Sequence, residues 1–193
     1  ALMWAVVPVK DLAGAKARLA RVLSAGERRR LFHAMLSDVL GALAEMTSLD
    51  GIALITRDPA AKALALRFGA ATIPENENNG QTAAVAHGIS RLMARGVADI
   101  VQVPGDVPLA TAGEFEQVIA AHLPAPAMTI VPSRDKQGSN CVVCSPPDSV
   151  AGRASARCAK PTQSSMSVTG PRRSASRTPE TRSGRAMLSK ADR

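Results

Sequence analysis

The chain reads as an α/β protein built on a mainly parallel sheet with helices on both faces, and three observations carry that reading. Over the first 150 residues, short runs rich in Val, Ile and Ala alternate with segments of helical period, the pattern of βαβ units. Capping boxes at Ser24–Glu27 and Thr111–Glu114 and a first-turn Pro59 mark helices between those runs, as a parallel sheet covered on both faces requires. The last two runs are joined only by "SRDKQG", a polar link suited to an antiparallel hairpin.

The elements follow in order. Strands are expected at "MWAVVPV" (3–9), "GIALIT" (51–56), "ATI" (71–73), "ADIVQVP" (98–104), "AMTIVPS" (127–133) and "NCVVCS" (140–145). A first helix should start at Ser24, whose spacing to Glu27 is that of a capping box, with Leu31, Met35, Val39, Leu43 and Met46 as its apolar stripe. Pro59 suits the first turn of a second helix and Gly69 its end. Gly80 opens a third helical segment of small residues. Thr111 and Glu114 repeat the capping box ahead of Phe115, Val118 and Ile119.

Beyond Val150 the composition changes. Residues 151–193 contain eight Ser and eight Arg, one Leu, one Val and no aromatic or Ile. A segment so poor in apolar residues cannot offset its ordering entropy, so disorder is expected. The chain therefore divides into a domain at 1–150 and a basic tail at 151–193. The tail's ten basic and two acidic residues supply the whole net charge of +8, because residues 1–150 balance fourteen of each. A nucleic-acid partner is not expected, since the basic tail lacks aromatic stacking positions. No run reaches the roughly 20 apolar residues of a membrane span. Three cysteines (Cys141, Cys144 and Cys158) make no disulfide framework, and no secretory leader is visible, so a reduced cytoplasmic setting is expected.

Three loops at expected strand ends could carry chemistry, since ligands of open α/β sheets bind there. In "VPVKDLAGAKARL" (7–19), Lys10, Lys16 and Arg18 stand among small residues that let backbone amides approach a phosphate. A solvated loop would explain the same cations, and neither a Walker A nor a dinucleotide fingerprint is present. In "VPGDVPL" (103–109), Asp106 is held between prolines where a carboxylate suits Mg²⁺ shared with phosphate oxygens. An ordinary turn aspartate is the alternative. In "NNGQTAAVAHG" (78–88), the helix opening at Gly80 could approach an anion or a base, or simply pack closely. Cys141 and Cys144, on one strand at i and i+3, should face opposite sides and not share a metal. His33, His87 and His122 fall in helical patterns without ligand spacing, and Arg28, Arg29 and Arg30 should form a wet helix face.

Together these loops suit nucleotidyl transfer to a phosphorylated acceptor. Such an acceptor is already ionised, so the reaction needs charge neutralisation and in-line positioning more than acid–base help. In order and spacing, "PVKDLAGAKARLARVLS", "ITRDP", "GQTAAVAHG", "PGDVPL" and "RDKQGSN" closely resemble the 2-phospho-L-lactate guanylyltransferase family over residues 4–148. The resemblance implies a GT-A-like nucleotidyltransferase fold. It also implies Mg²⁺-dependent guanylylation by GTP of 2-phospholactate, phosphoenolpyruvate or 3-phosphoglycerate, in coenzyme F-420 biosynthesis. It places Lys16, Arg18 and Asp106 in catalysis, with Asp106 on the metal. It places Lys10, Gly80, Gln81 and Thr82 on the nucleotide, and Ser139 and Asn140 on the acid.

The chain departs from the family pattern in three places. Gln81-Thr82 stands for Leu-Asn, and Lys136-Gln137 for the first Gly-Thr of a G-T-G-T-N stretch. After Val150 neither the R-F-G-x-x-S-F segment nor the D-x-D-T-P stretch occurs, which leads us to expect weak or no turnover. The alternatives are a GT-A-like transferase for another small acceptor, or an inactive nucleotide-binding remnant. A homodimer is left open.

Overall fold

The computed structural model describes residues 1–10, 17–75, 80–134, 136 and 138–149, without the side chains of 17, 80–84 and 149. The expected disorder of 151–193 therefore concerns residues outside the description. Among the described residues six strands form one sheet: β1 (Leu2–Pro8), β2 (Gly51–Ile55), β3 (Ala71–Ile73), β4 (Val97–Gln102), β5 (Ala127–Pro132) and β6 (Ser139–Ser145). Their order is β3-β2-β1-β4-β6-β5. The β1–β2, β1–β4 and β2–β3 pairs are parallel, whereas β6 is antiparallel to both β4 and β5. The hairpin read from "SRDKQG" is thus present, and the sheet is mainly parallel. Strand β4 stops short of its expected end because Pro104 has no N–H to offer a neighbour.

Among the described residues four helices cover the sheet: α1 (Ala25–Ala44), α2 (Pro59–Arg67), α3 (Gly80–Met93) and α4 (Ala112–Ala120). Both capping boxes form. Glu27 N–H donates to Ser24 Oγ and Glu114 N–H to Thr111 Oγ1, both at 3.3 Å, while each glutamate accepts from its cap's backbone N–H. Asp58 caps α2 by accepting from the N–H groups of Ala60 and Ala61, with Pro59 in the first turn. Gly69, at φ 68°, ends that segment in the left-handed region expected of a glycine.

Period-two alternation along the strands divides the core. Ala5, Val7, Leu54, Val101 and Val143 meet α1, α2 and α4 on one face. Val6, Ala53, Ile55, Ile100 and Cys144 meet Val85, Ile89 and Leu92 of α3 on the other. The stripe expected on α1 needs correction. Val39, Leu43 and Met46 are buried, but Leu31 is exposed and Met35 only half-buried. Leu36 and Leu40 complete the buried row, because α1 meets the sheet mainly over its second half. Arg29 and Arg30 are exposed as expected, while Arg28 is half-buried and donates from Nη1 to Leu23 O at 2.8 Å.

His122 also departs from its expected place, standing just past α4 rather than inside a helix. It joins a chain of polar groups across three strands: Nδ1 lies 2.8 Å from Thr129 Oγ1, Nε2 lies 2.9 Å from Ser145 Oγ, and Ser145 Oγ donates to Asp99 Oδ1. Because Ser145 spends its proton on Asp99, His122 Nε2–H donates to Ser145 and Nδ1 accepts from Thr129. That arrangement uses neutral imidazole. Burial pushes the His122 pKa below its usual value of 6.5, against a smaller opposing pull from Asp99.

A pH dependence of stability follows. Between the lowered folded-state pKa and about 6.5, the unfolded chain binds the proton that the folded chain refuses. Stability from this group should be full above pH 6.5 and decline as the pH falls through the folded-state pKa, with no further change below it. Urea midpoints from pH 7.5 to 5 should show the decline, and His122→Gln should flatten it. An unchanged slope in that variant would assign the effect to other groups.

Candidate functional site

The sheet order creates a switch point between β1 and β4. The chain leaves β1 for β2 on one side and returns through α3 to β4 on the other, opening a crevice at their carboxyl ends. Lys10 follows β1 and Asp106 follows β4, and both are exposed. Two residues remote in sequence, one cationic and one acidic, thus stand at adjacent strand ends.

Glycine holds the second loop in place. Val103 N–H donates to Val6 O at 3.0 Å, extending the β1–β4 ladder past the strand proper. Gly105 then packs against α1 and the end of β1. A Cβ there would lie 3.1 Å from Leu36 Cδ1 and 3.3 Å from Val9 Cγ2, closer than ordinary contact. The absent side chain lets the loop lie flat on α1, and it ties the position of Asp106 to the strand that carries Lys10.

The basic loop is only partly described. Arg18 is exposed in a 3-10 turn at Ala17–Leu19, whose Leu19 carbonyl accepts from Val22 and Leu23 N–H just before the Ser24 cap. Lys16 lies outside the described residues. Gly80, Gln81 and Thr82 form the first turn of α3, as the sequence suggests for Gly80. Further along that helix, a Cβ on Gly88 would lie 2.5 Å from Ile55 Cδ1, so glycine lets α3 sit directly on the end of β2.

Ser139 and Asn140 open β6 and are exposed. Asn140 lines a cleft of about 430 Å³ with Val107, Leu109, Phe115, Val118, Val131 and Cys141, beside the loop that carries Asp106. Neither the cleft nor the close packing of Gly105 is visible in the sequence, where "VPGDVPL" signals only a turn. Cys141 and Cys144 do face opposite sides of the sheet. Burial, with a further contribution from Cys144, pushes the Cys141 thiol up to about 12, which rules it out as a ready thiolate.

A preformed metal cage is absent among the described residues, which contain no group of three or more His, Cys, Asp or Glu side chains placed to share an ion. Asp106 nonetheless fits Mg²⁺ brought in with a nucleotide, because that ion commonly takes one or two carboxylates and completes its shell from phosphates and water.

Residues 3–151 match the model of the family "Guanylyl transferase CofC like". The chain belongs to that family. Its relatives include proteins named phosphoenolpyruvate guanylyltransferase. The one from Conexibacter woesei is 34% identical over 146 residues, covering 75% of this chain and 66% of the relative. The one from Sphaerobacter thermophilus is also 34% identical over 146 residues, covering 76% and 70%. The one from Roseiflexus castenholzii is 37% identical over 133 residues, covering 69% and 60%. This CofC-like chain thus spans 60–70% of the length of these relatives.

Among solved structures, a nucleotide-diphospho-sugar transferase from Desulfovibrio desulfuricans G20 superposes with a TM-score of 0.62 at 14% identity, covering 78% of this chain and 68% of that one. A nucleotidyl transferase from Methanothermobacter gives 0.56 at 12% identity, covering 78% and 74%. At such identities the likeness concerns the fold, which is GT-A-like as expected.

Lys136, read from the resemblance as standing on the first glycine of G-T-G-T-N, has an unusual backbone. Its φ is 57°, in the left-handed region, within a turn where Lys136 N–H donates to Ser133 O at 2.9 Å. A side chain there costs about 1–2 kcal/mol, partly offset by the extra freedom glycine has when unfolded, about 0.5–1 kcal/mol. Lys136→Gly should therefore raise stability by up to about 1 kcal/mol, read from the urea midpoint. A loss of stability would mean that the lysine side chain contributes more than its backbone costs.

Proposed function

We propose that the chain transfers a guanylyl group from GTP to a small phosphorylated acid, releasing pyrophosphate, in coenzyme F-420 biosynthesis. The observation that carries the proposal is the pairing of Lys10 and Asp106 at adjacent strand ends in a CofC-like chain. The acid's phosphate oxygen attacks the α-phosphorus, and the bond to the departing pyrophosphate breaks with its electron pair. No proton has to move.

In this reading Lys10, Lys16 and Arg18 surround the triphosphate and stabilise negative charge on the leaving group. Asp106 would hold Mg²⁺, which supplies charge neutralisation on the phosphates. The opening of α3 at Gly80, Gln81 and Thr82 faces the nucleotide, its backbone N–H groups and dipole favouring an anion or a polar base edge. Asn140, which lines the cleft, and its neighbour Ser139 bind the acid. Phosphoenolpyruvate is the first acceptor to try, because the relatives above carry its name. The setting is a cytoplasmic one.

Pyrophosphate release from GTP, measured with phosphoenolpyruvate, 2-phospholactate and 3-phosphoglycerate in turn, tests the reading. One acid should support turnover above the others, at the weak rate expected without the family's closing segments. GTP binding with no turnover for any of them would favour a nucleotide-binding remnant, and turnover only with another acceptor would favour a different transferase. Asp106→Asn should lower turnover by about a hundredfold or more at saturating Mg²⁺. Its unfolding free energy should stay within about 0.5 kcal/mol, as for an exposed substitution. Undiminished turnover would remove Asp106 from the metal.

A further inference from the structure

We infer that Gln102 is a specificity-determining residue that reads the base, its Oε1 accepting from the N–H groups on the Watson–Crick edge of guanine. The inference rests on the guanylyl-transfer reading above. It starts from a defect in the packing. Gln102 is the last residue of β4, opposite Val6 of β1 and Val142 of β6. Alternation puts it on the face of Ile100, whose buried surroundings include Val6 and Cys144. On that apolar face Gln102 Oε1 is buried and has no hydrogen-bond partner among the described residues. A strand position between valines could hold an apolar residue at no such cost.

Position turns the defect into a candidate contact. Helix α3 covers the same face and runs antiparallel to the strands as it connects β3 to β4. Gly88, seated on Ile55 at the end of β2, marks where the helix passes the sheet's carboxyl edge. From Gly88 back to Gly80 the helix continues for about 12 Å at its usual rise. Gln102, on the same face but level with Ala53 and two residues below Ile55 in the register, has the opening of α3 beyond it in the carboxyl direction.

Chemistry selects the ligand group. An unpaired carbonyl oxygen needs a donor. The triphosphate and the acid's phosphate and carboxylate present acceptors, which Oε1 would repel. Guanine presents N1–H and the N2 amino group side by side. Inosine lacks the amino group, and adenine has an acceptor at N1. A site built to pair with a donor rejects the analogue that lacks it, because its own polar group is then left unpaired.

Equilibrium binding of GTP, ITP and ATP to the full chain, and to Gln102→Met and Gln102→Glu, tests the inference. The wild type should prefer GTP to ITP by about tenfold or more, the usual scale for one buried hydrogen bond. Gln102→Met keeps the length and removes the acceptor. It should weaken GTP by about 10- to 100-fold and ITP far less, so that the preference collapses, while thermal stability holds or rises. Gln102→Glu keeps acceptor oxygens and should keep the preference. A wild type that binds GTP and ITP equally overturns the inference but leaves guanylyl transfer standing. So does a Met variant that weakens both nucleotides alike or neither. Failure of both variants to fold would assign Gln102 to packing and overturn the inference as well. A wild type that binds no nucleotide removes the guanylyl-transfer reading, and this inference with it.

Discussion

The parallel pairing of β1 with β4 is the constraint on which the rest of the structure depends. These strands are the buried centre of the sheet, and every other strand joins on one side of them or the other. Their ladder runs on through Val103 N–H to Val6 O, so the residues that follow both strands leave from a fixed level. Gly105 then lies close to both Val9 and Leu36. Chain direction, register and packing therefore act together on Lys10 and Asp106, which local sequence could not bring near each other. A shift in the β1–β4 register would move one functional loop relative to the other and turn each strand's apolar set to the wrong face.

Much of this fold could be read from the sequence because local and global signals agree. The Ser24–Glu27 and Thr111–Glu114 boxes start helices where expected, as does Asp58 before Pro59. The six apolar runs became six strands because each is too short for a helix and is bounded by turn residues. Errors arose where tertiary contact decides. On α1, helical period alone cannot say which turn meets the sheet, so Leu31 was placed in the stripe although it ends exposed. His122 looked like one more helical residue. Its role depends on Thr129, Ser145 and Asp99, from three strands whose alignment no local pattern reveals.

The site was legible to the extent that strand ends were. "PVK" and "PGD" could be placed because each follows an apolar run directly, and the switch point then brings them together. Ser139 and Asn140 required the hairpin, whose turn residues were visible. The cleft beside Asn140 was not, because its walls come from α4, β5, β6 and the loop after β4. Gln102 was hidden for a different reason. A glutamine within "ADIVQVP" reads as an ordinary strand residue, and only the closed sheet shows its carbonyl oxygen buried without a donor among the described residues.

Electrostatics adds a last constraint on how such a crevice could attract an anion. The net charge of +8 suggests a strongly basic protein, yet residues 1–150 are balanced and all of the excess lies in 151–193. At physiological salt, a charge acts over about 8 Å before screening removes most of its effect. Net charge alone therefore says nothing of the crevice; only cations within that range of the strand ends act there. Under the proposed function a polyphosphate would be held by groups within that range, Lys10 and Arg18 among them, with a metal on Asp106 offsetting the remaining charge. Under that proposal, binding depends on the register and packing that set Lys10 and Asp106 at adjacent strand ends.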